Sequence, residues 1–94
     1  MKIFKYTIRV TDGPIVLDMP NGARILSVQA QGPNPTHDML TMWALVDESA
    51  DFVTRTFRTF GTGQPLSSAV CGYVHIGTVL CAGGLLVWHV FEVN

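Results

Sequence analysis

The chemistry in this sequence concentrates in Arg55-Thr56-Phe57-Arg58-Thr59-Phe60-Gly61-Thr62-Gly63-Gln64-Pro65. This is a strand-like run with two arginines that ends in a loop of two glycines flanking a threonine. Glycine has no Cβ, so backbone N–H groups there can approach a ligand that other residues would hold off. Successive exposed amides form a concavity suited to anions, phosphate above all. Arginine adds a charge that does not titrate and a planar fork that matches phosphate oxygens. The same residues also fit a hairpin end with a turn-forming Gly-Thr-Gly and two solvated arginines, because a lone G-x-G carries little specificity. Arg55 and Arg58 lie an odd number of residues apart, so a regular strand points them to opposite faces. Both serve one ligand only if a bulge intervenes or a neighbouring subunit completes the site.

Other reactive side chains are scattered. His37 sits in a loop with no ligand partner at useful spacing, and His75 and His89 lie among apolar strand neighbours, as core or interface histidines do. Ser67-Ser68 reads as turn chemistry, since nothing in the spacing nominates a histidine base for a nucleophilic serine. The acids Asp12, Asp18, Asp38, Asp47, Glu48, Asp51 and Glu92 form no pair at acid/base spacing, and no His/Cys/Asp cluster has metal-ligand spacing. An enzyme is therefore the weakest reading, and no cofactor or metal is expected.

The elements that would position these residues are strands. Lys2 to Val10 alternates, with Phe4, Tyr6, Ile8 and Val10 on one face and Lys5, Thr7 and Arg9 on the other. Thr11-Asp12-Gly13-Pro14 is a turn, Ile15 to Leu17 a short strand, and Met19-Pro20-Asn21-Gly22 a tight reversal. Arg24 to Gln31 alternates again, with Leu26, Val28 and Ala30 inward and Ser27, Gln29 and Gln31 outward. That polar row is either solvent surface or a hydrogen-bonding platform. Gly32 to Asp38, with two prolines, is loop. Met39 to Val46 is apolar on both faces, which predicts a central strand covered on both sides. Phe52 to Phe60 is the arginine strand, and Tyr73 to Cys81 and Leu85 to Val93 form a last hairpin through Ala82-Gly83-Gly84. Helix is limited to a short turn around Ser67-Ser68-Ala69. About seven strands with turns at short intervals predict an all-β fold, a small antiparallel β-sandwich or open barrel, as one domain spanning 1–94.

Composition narrows the partners. The chain is 48% hydrophobic and only 14% charged, which excludes disorder and leaves more apolar strand surface than one small core hides. A homo-oligomer, dimer or tetramer, would cover the surplus around Trp43 or Trp88. A net charge of −1 argues against a general duplex nucleic-acid binder, while a small anion held by a few arginines remains compatible. Cys71 and Cys81, near opposite ends of one strand, are too far apart to bridge and imply reduced thiols in a cytoplasmic protein. The N-terminus has no signal-peptide pattern, and the longest apolar run, Thr78 to Val90, is too short to span a bilayer.

An ordered set of segments resembles a known family. It comprises Met19-Pro20-x-Gly22-Ala23-x-Ile25-Leu26-Ser27-Val28-Gln29, Trp43-Ala44-Leu45-Val46-Asp47, Arg55-x-Phe57 with Gly61-Thr62-Gly63, Tyr73-x-x-Ile76-Gly77-Thr78 and Leu86-Val87-Trp88-His89-x-Phe91-Glu92. The order, from about Lys2 to Glu92, is similar to that of small phage and prophage proteins long described only as a domain of unknown function, which resemble the anti-CBASS sponges. The resemblance implies sequestration of a cyclic dinucleotide signal, without cleavage, by a multimer in the cytoplasm of an infected host cell. The residues are physically consistent with that role: Arg55 or Arg58 with the amides of Gly61, Thr62 and Gly63 would hold phosphate. Trp43 or Tyr73 would stack a base, and Gln64, Ser27 or Gln29 would read base edges. Gln64, where relatives carry histidine or another residue, and the insertion-like Gly32–Asp38 loop leave ligand preference open. Two other classes compete: a structural phage accessory protein, and an inhibitor docking on a host protein through an edge strand.

Overall fold

The computed structural model describes residues 1–30 and 38–93. Among the described residues, seven strands form two open antiparallel sheets: β1 (Lys2–Arg9), β2 (Ile15–Pro20), β3 (Arg24–Ala30), β4 (Met39–Val46), β5 (Phe52–Gly61), β6 (Val74–Cys81) and β7 (Leu86–Val93). One sheet has the order β1-β4-β3 and the other β2-β5-β7-β6. The thin dimension of 17 Å is that of two stacked layers, whose spacing is about 10 Å. This is the expected all-β sandwich, and the sheets do not close into a barrel. Among the described residues, no helix is long and apolar enough to cross a membrane. The loop reading for 32–37, including His37, and the placement of Gln31 fall outside the described residues.

Alternation explains the layers. On β4, Leu40, Met42, Ala44 and Val46 are all buried, and they meet Ile8, Val28, Met19, Phe57, Val79, Cys81 and Val90 from both sheets in one core. Burying each large apolar side chain contributes about 1.5–3 kcal/mol. The strand is central in its sheet, but the expectation of cover on both sides is met on one only: the face carrying Met39, Thr41, Trp43 and Leu45 has no second layer among the described residues.

Three local expectations need correction. Leu26 does not point inward: the register shifts between Ile25 and Ser27, and the extra residue, Leu26, is 43% exposed while Ile25 packs on the core. A bulge resets the two-residue period, which the sequence pattern alone does not show. Cys71 is not part of a strand; it lies in a 3-10 helix at Ser68–Gly72, capped by the Ser67 hydroxyl accepting from the Ala69 N–H. The second strand runs on from Leu17 through Pro20, because the reversal begins at Pro20, whose carbonyl accepts from the Ala23 N–H across Gly22 at φ 80°.

The sheets approach each other along β3 and β6. Gly77 sits there so tightly that an added Cβ would stand 2.7 Å from Val28 Cγ1. Beside this seam lies a cleft of about 240 Å³ lined by Val28, Gln29, Ala30, Thr78, Val79 and Leu80.

Candidate functional site

The sequence-nominated residues separate into three places. Arg55 points between the sheets. Its Nε and Nη2 donate to the two carboxylate oxygens of Glu92 on β7, both at 2.7 Å, and Nη1 donates to the carbonyl of Ala23, where β3 begins. Both charged side chains are 18% exposed. The hydrogen bonds to Glu92 hold the guanidinium pKa above its ordinary value, against the opposing pull of burial. Nearby burial pushes the Tyr6 phenol up, with the Arg55 charge opposing. Arg55 is thus a clamp between sheets, with its donors facing protein acceptors.

Arg58 points the other way, as strand parity requires, to the outer face of the four-stranded sheet. Its Nη2 donates to the carbonyl of Asp12 at 3.1 Å, and its guanidinium carbon lies 5.3 Å from the Phe60 ring centroid. Its Nε is buried with no hydrogen-bond partner among the described residues. Phe60 is 5% exposed and stands 5.8 Å from Phe91, which in turn meets the His75 ring edge-on at 5.2 Å. A cation and a row of aromatic rings therefore cross β5, β7 and β6 on one face.

The glycine loop joins this face through a route the sequence did not signal. Gly61 donates to the Gln64 side-chain oxygen at 3.0 Å and accepts from the Gln64 N–H at 3.2 Å, so Gln64 closes the loop on itself. Gly63 takes φ 83°, and a Cβ there would meet nothing within 4 Å, so the space beside it is open. Between them the Thr62 hydroxyl lies 2.7 Å from His89 Nε2. His89 Nδ1 is 3.1 Å from the Thr78 hydroxyl, which is 3.1 Å from His75 Nε2. The expectation that these histidines sit in the core gives way, since His75 is exposed and His89 half-buried. Cross-strand register sets Thr78 directly opposite His89, and the loop brings Thr62 to its other nitrogen. Each hydroxyl can donate or accept, so the chain Thr62–His89–Thr78–His75 can run in either direction.

Trp43 lies on the other outer face, that of the three-stranded sheet, with Lys5 and Ser27 as its cross-strand neighbours. Ser27 accepts from the Gln29 amide at 3.3 Å. Tyr73 is half-buried at the end of the 3-10 helix, where its N–H donates to the Val70 carbonyl. The structure therefore brings Arg58, Gly61, Thr62, Gly63 and Gln64 to one sheet face and its rim, adds His75, Thr78, His89 and Phe91, and sets Arg55 and Trp43 apart. Among the described residues no group of three or more His, Cys, Asp or Glu could hold a metal.

Residues 1–94 match a protein family described as Domain of unknown function (DUF7352). No curated protein and no solved structure matches the chain.

Proposed function

The chain belongs to the DUF7352 family, and we propose that it is a non-catalytic binding protein for a small anionic nucleotide of the cyclic dinucleotide class. The observation that carries this reading is Arg58, half-buried over Phe60, with a buried Nε that has no partner among the described residues. A buried cationic donor without an acceptor is costly, and an anionic guest that drew the guanidinium outward would satisfy it. Phe91 and the His75 ring supply flat surface beside it, and Thr62 ends a hydrogen-bond chain that can offer either polarity to a phosphate or a base edge. Two phosphates and two bases in one ligand match a surface that offers a cation, rings and hydroxyls together. Capture without cleavage in an infected cell is the role the sequence resemblance adds, and a two-fold assembly would present two such faces to a two-fold ligand.

The test is calorimetry with a panel of cyclic oligonucleotides, followed by heat release and chromatography of the supernatant. A sponge returns its ligand intact. Arg58→Ala should weaken binding by about 1.5–3 kcal/mol, roughly 10- to 150-fold, while its lost contacts to Asp12 and Phe60 cost only about 1 kcal/mol of stability. No uptake of any panel member, or equal affinity in Arg58→Ala, sinks the proposal. A second reading has its own support: Val16 and Phe52, at 59% and 62% exposed, lie on the same outer face, as does Leu80 at 62%. A structural or host-docking accessory protein would use that surface and would take up no nucleotide.

A further inference from the structure

The outer face of the three-stranded sheet has a different chemistry. Its outward strand positions are Ile3, Lys5, Thr7 and Arg9 on β1, Met39, Thr41, Trp43 and Leu45 on β4, and Arg24, Ser27 and Gln29 on β3, by the register of the ladders. Three of the six Lys and Arg residues of the chain are here, and none of its seven Asp and Glu residues occupies an outward strand position. Asp38, just before β4, pairs with Arg9 at 2.9 Å. Lys5 and Arg24 are exposed and form no ion pair among the described residues.

The bulge at Leu26 makes this arrangement. Arg24 and Ser27 are an odd number of residues apart and would face opposite ways on a regular strand. With the extra residue between Ile25 and Ser27, Arg24 stands opposite Leu45 and Ser27 opposite Trp43, both on the outer face. Bulges recur where a side chain must be re-aimed. The result is a half-buried indole at the centre of the sheet with Lys5 on one side and Arg24 diagonally on the other. Ordinary strand spacing and rise put those two Cα atoms roughly 12 Å apart. The Ser27 hydroxyl and Gln29 amide complete the row.

We infer that this face is a second binding surface, for single-stranded nucleic acid, with a base stacked on Trp43 and the phosphates on either side of that base held by Lys5 and Arg24. A free mononucleotide would use only one of the two cations; a base within a strand has a phosphodiester on each side. A duplex hides the base faces that an indole needs, so an unpaired strand fits and a duplex does not. Two cations make the binding weak, with Kd on the order of 10–100 µM at moderate salt.

The experiment is fluorescence anisotropy of a fluorescein-labelled oligothymidylate of about eight nucleotides. Wild-type protein should bind it, and a fourfold rise in salt should weaken binding about sevenfold for two phosphates neutralised. The exposed double change Lys5→Glu/Arg24→Glu should abolish binding. Trp43→Leu should reduce it by about fivefold or more while leaving the salt slope unchanged. Arg58→Ala should bind the oligonucleotide like the wild type, which separates this face from the cyclic dinucleotide proposal. The inference is overturned if the strand is not bound at low salt, or if the double variant binds as well as wild type. It is equally overturned if a duplex of the same length binds more tightly, or if polyglutamate displaces the strand and Trp43→Leu binds undiminished, which would mark the face as a dock for acidic protein.

Discussion

The two outer faces of this sandwich differ in where their polar groups find partners. On the four-stranded sheet, His75, Thr78, His89 and Thr62 bond one another in a chain, and Arg58 lies over Phe60 with one hydrogen bond to Asp12. On the three-stranded sheet, Lys5 and Arg24 stand exposed without ion pairs among the described residues around a half-buried Trp43. The first face is preorganised, so a ligand meets side chains already held in place and loses less entropy on ordering them. The second is an open field of charge with one flat anchor, which favours weak, salt-sensitive, sequence-tolerant binding. Under the two proposals one thin scaffold would offer two sorts of recognition, and Arg55 between the sheets belongs to neither face.

The largest expected effect tests that last statement. Arg55→Ala leaves the Glu92 carboxylate and the Ala23 carbonyl without their donor at positions where both ion-pair side chains are 18% exposed. Removing one partner of such a pair should cost about 3 kcal/mol, the low end for buried pairs because some water reaches it. Urea denaturation would measure this, and Arg55→Met/Glu92→Leu should recover most of the loss. The contrast with Arg58→Ala, which should lower affinity while costing only about 1 kcal/mol of stability for its Asp12 and Phe60 contacts, is the sharpest division between scaffold and site. An Arg55→Ala protein of wild-type stability that no longer binds a cyclic dinucleotide would erase it.

A smaller effect belongs to the seam. At Gly77 an added methyl would stand 2.7 Å from Val28 Cγ1, and Val28 is 7% exposed with little room to yield. Gly77→Ala should destabilise by about 1–3 kcal/mol through overpacking, and Val28→Ala in the same chain should relieve part of that. Because Val28 adjoins Ser27 on β3 and Gly77 adjoins Thr78 on β6, the strain should reach both outer faces and lower oligonucleotide and cyclic dinucleotide binding alike. A loss on one face alone would mean that the other is insulated from the seam.

The strands, their approximate ends and the opposite facing of Arg55 and Arg58 were legible in the sequence because a period of two is a local property. Neither face was. Glu92 reaches Arg55 from 37 residues away, Thr62 reaches His89 from 27, and Lys5 and Arg24 flank Trp43 only once three strands are in register. The bulge at Leu26 was hidden for a related reason: Ile25 and Leu26 are both apolar, so the pattern admits either as the inward residue. Thr62 at the rim of β5, His89 on β7 and the His75–Thr78 pair on β6 gave no joint signal, since His89 meets Thr62 and Thr78 only across the ladder.

The smallest effect bears on the hydrogen-bond chain itself. Thr78 and Thr7 are both exposed threonines on outer sheet faces, one on each layer. The Thr78 hydroxyl lies 3.1 Å from both His75 Nε2 and His89 Nδ1, whereas the Thr7 hydroxyl has no side-chain partner among the described residues. Replacing either by valine keeps the β-branched shape a strand favours. Thr78→Val should therefore cost about 0.5–1 kcal/mol, modest because water can stand in for the lost hydroxyl, and Thr7→Val should cost nothing measurable. The more telling reading is by NMR of the imidazoles. Removing the shared hydroxyl frees each ring to choose its tautomer alone, so the His75 and His89 nitrogen shifts should both move in Thr78→Val and neither in Thr7→Val. If only one ring responds, the chain is two separate contacts, and the preorganisation that distinguishes this face is confined to Thr62 and His89.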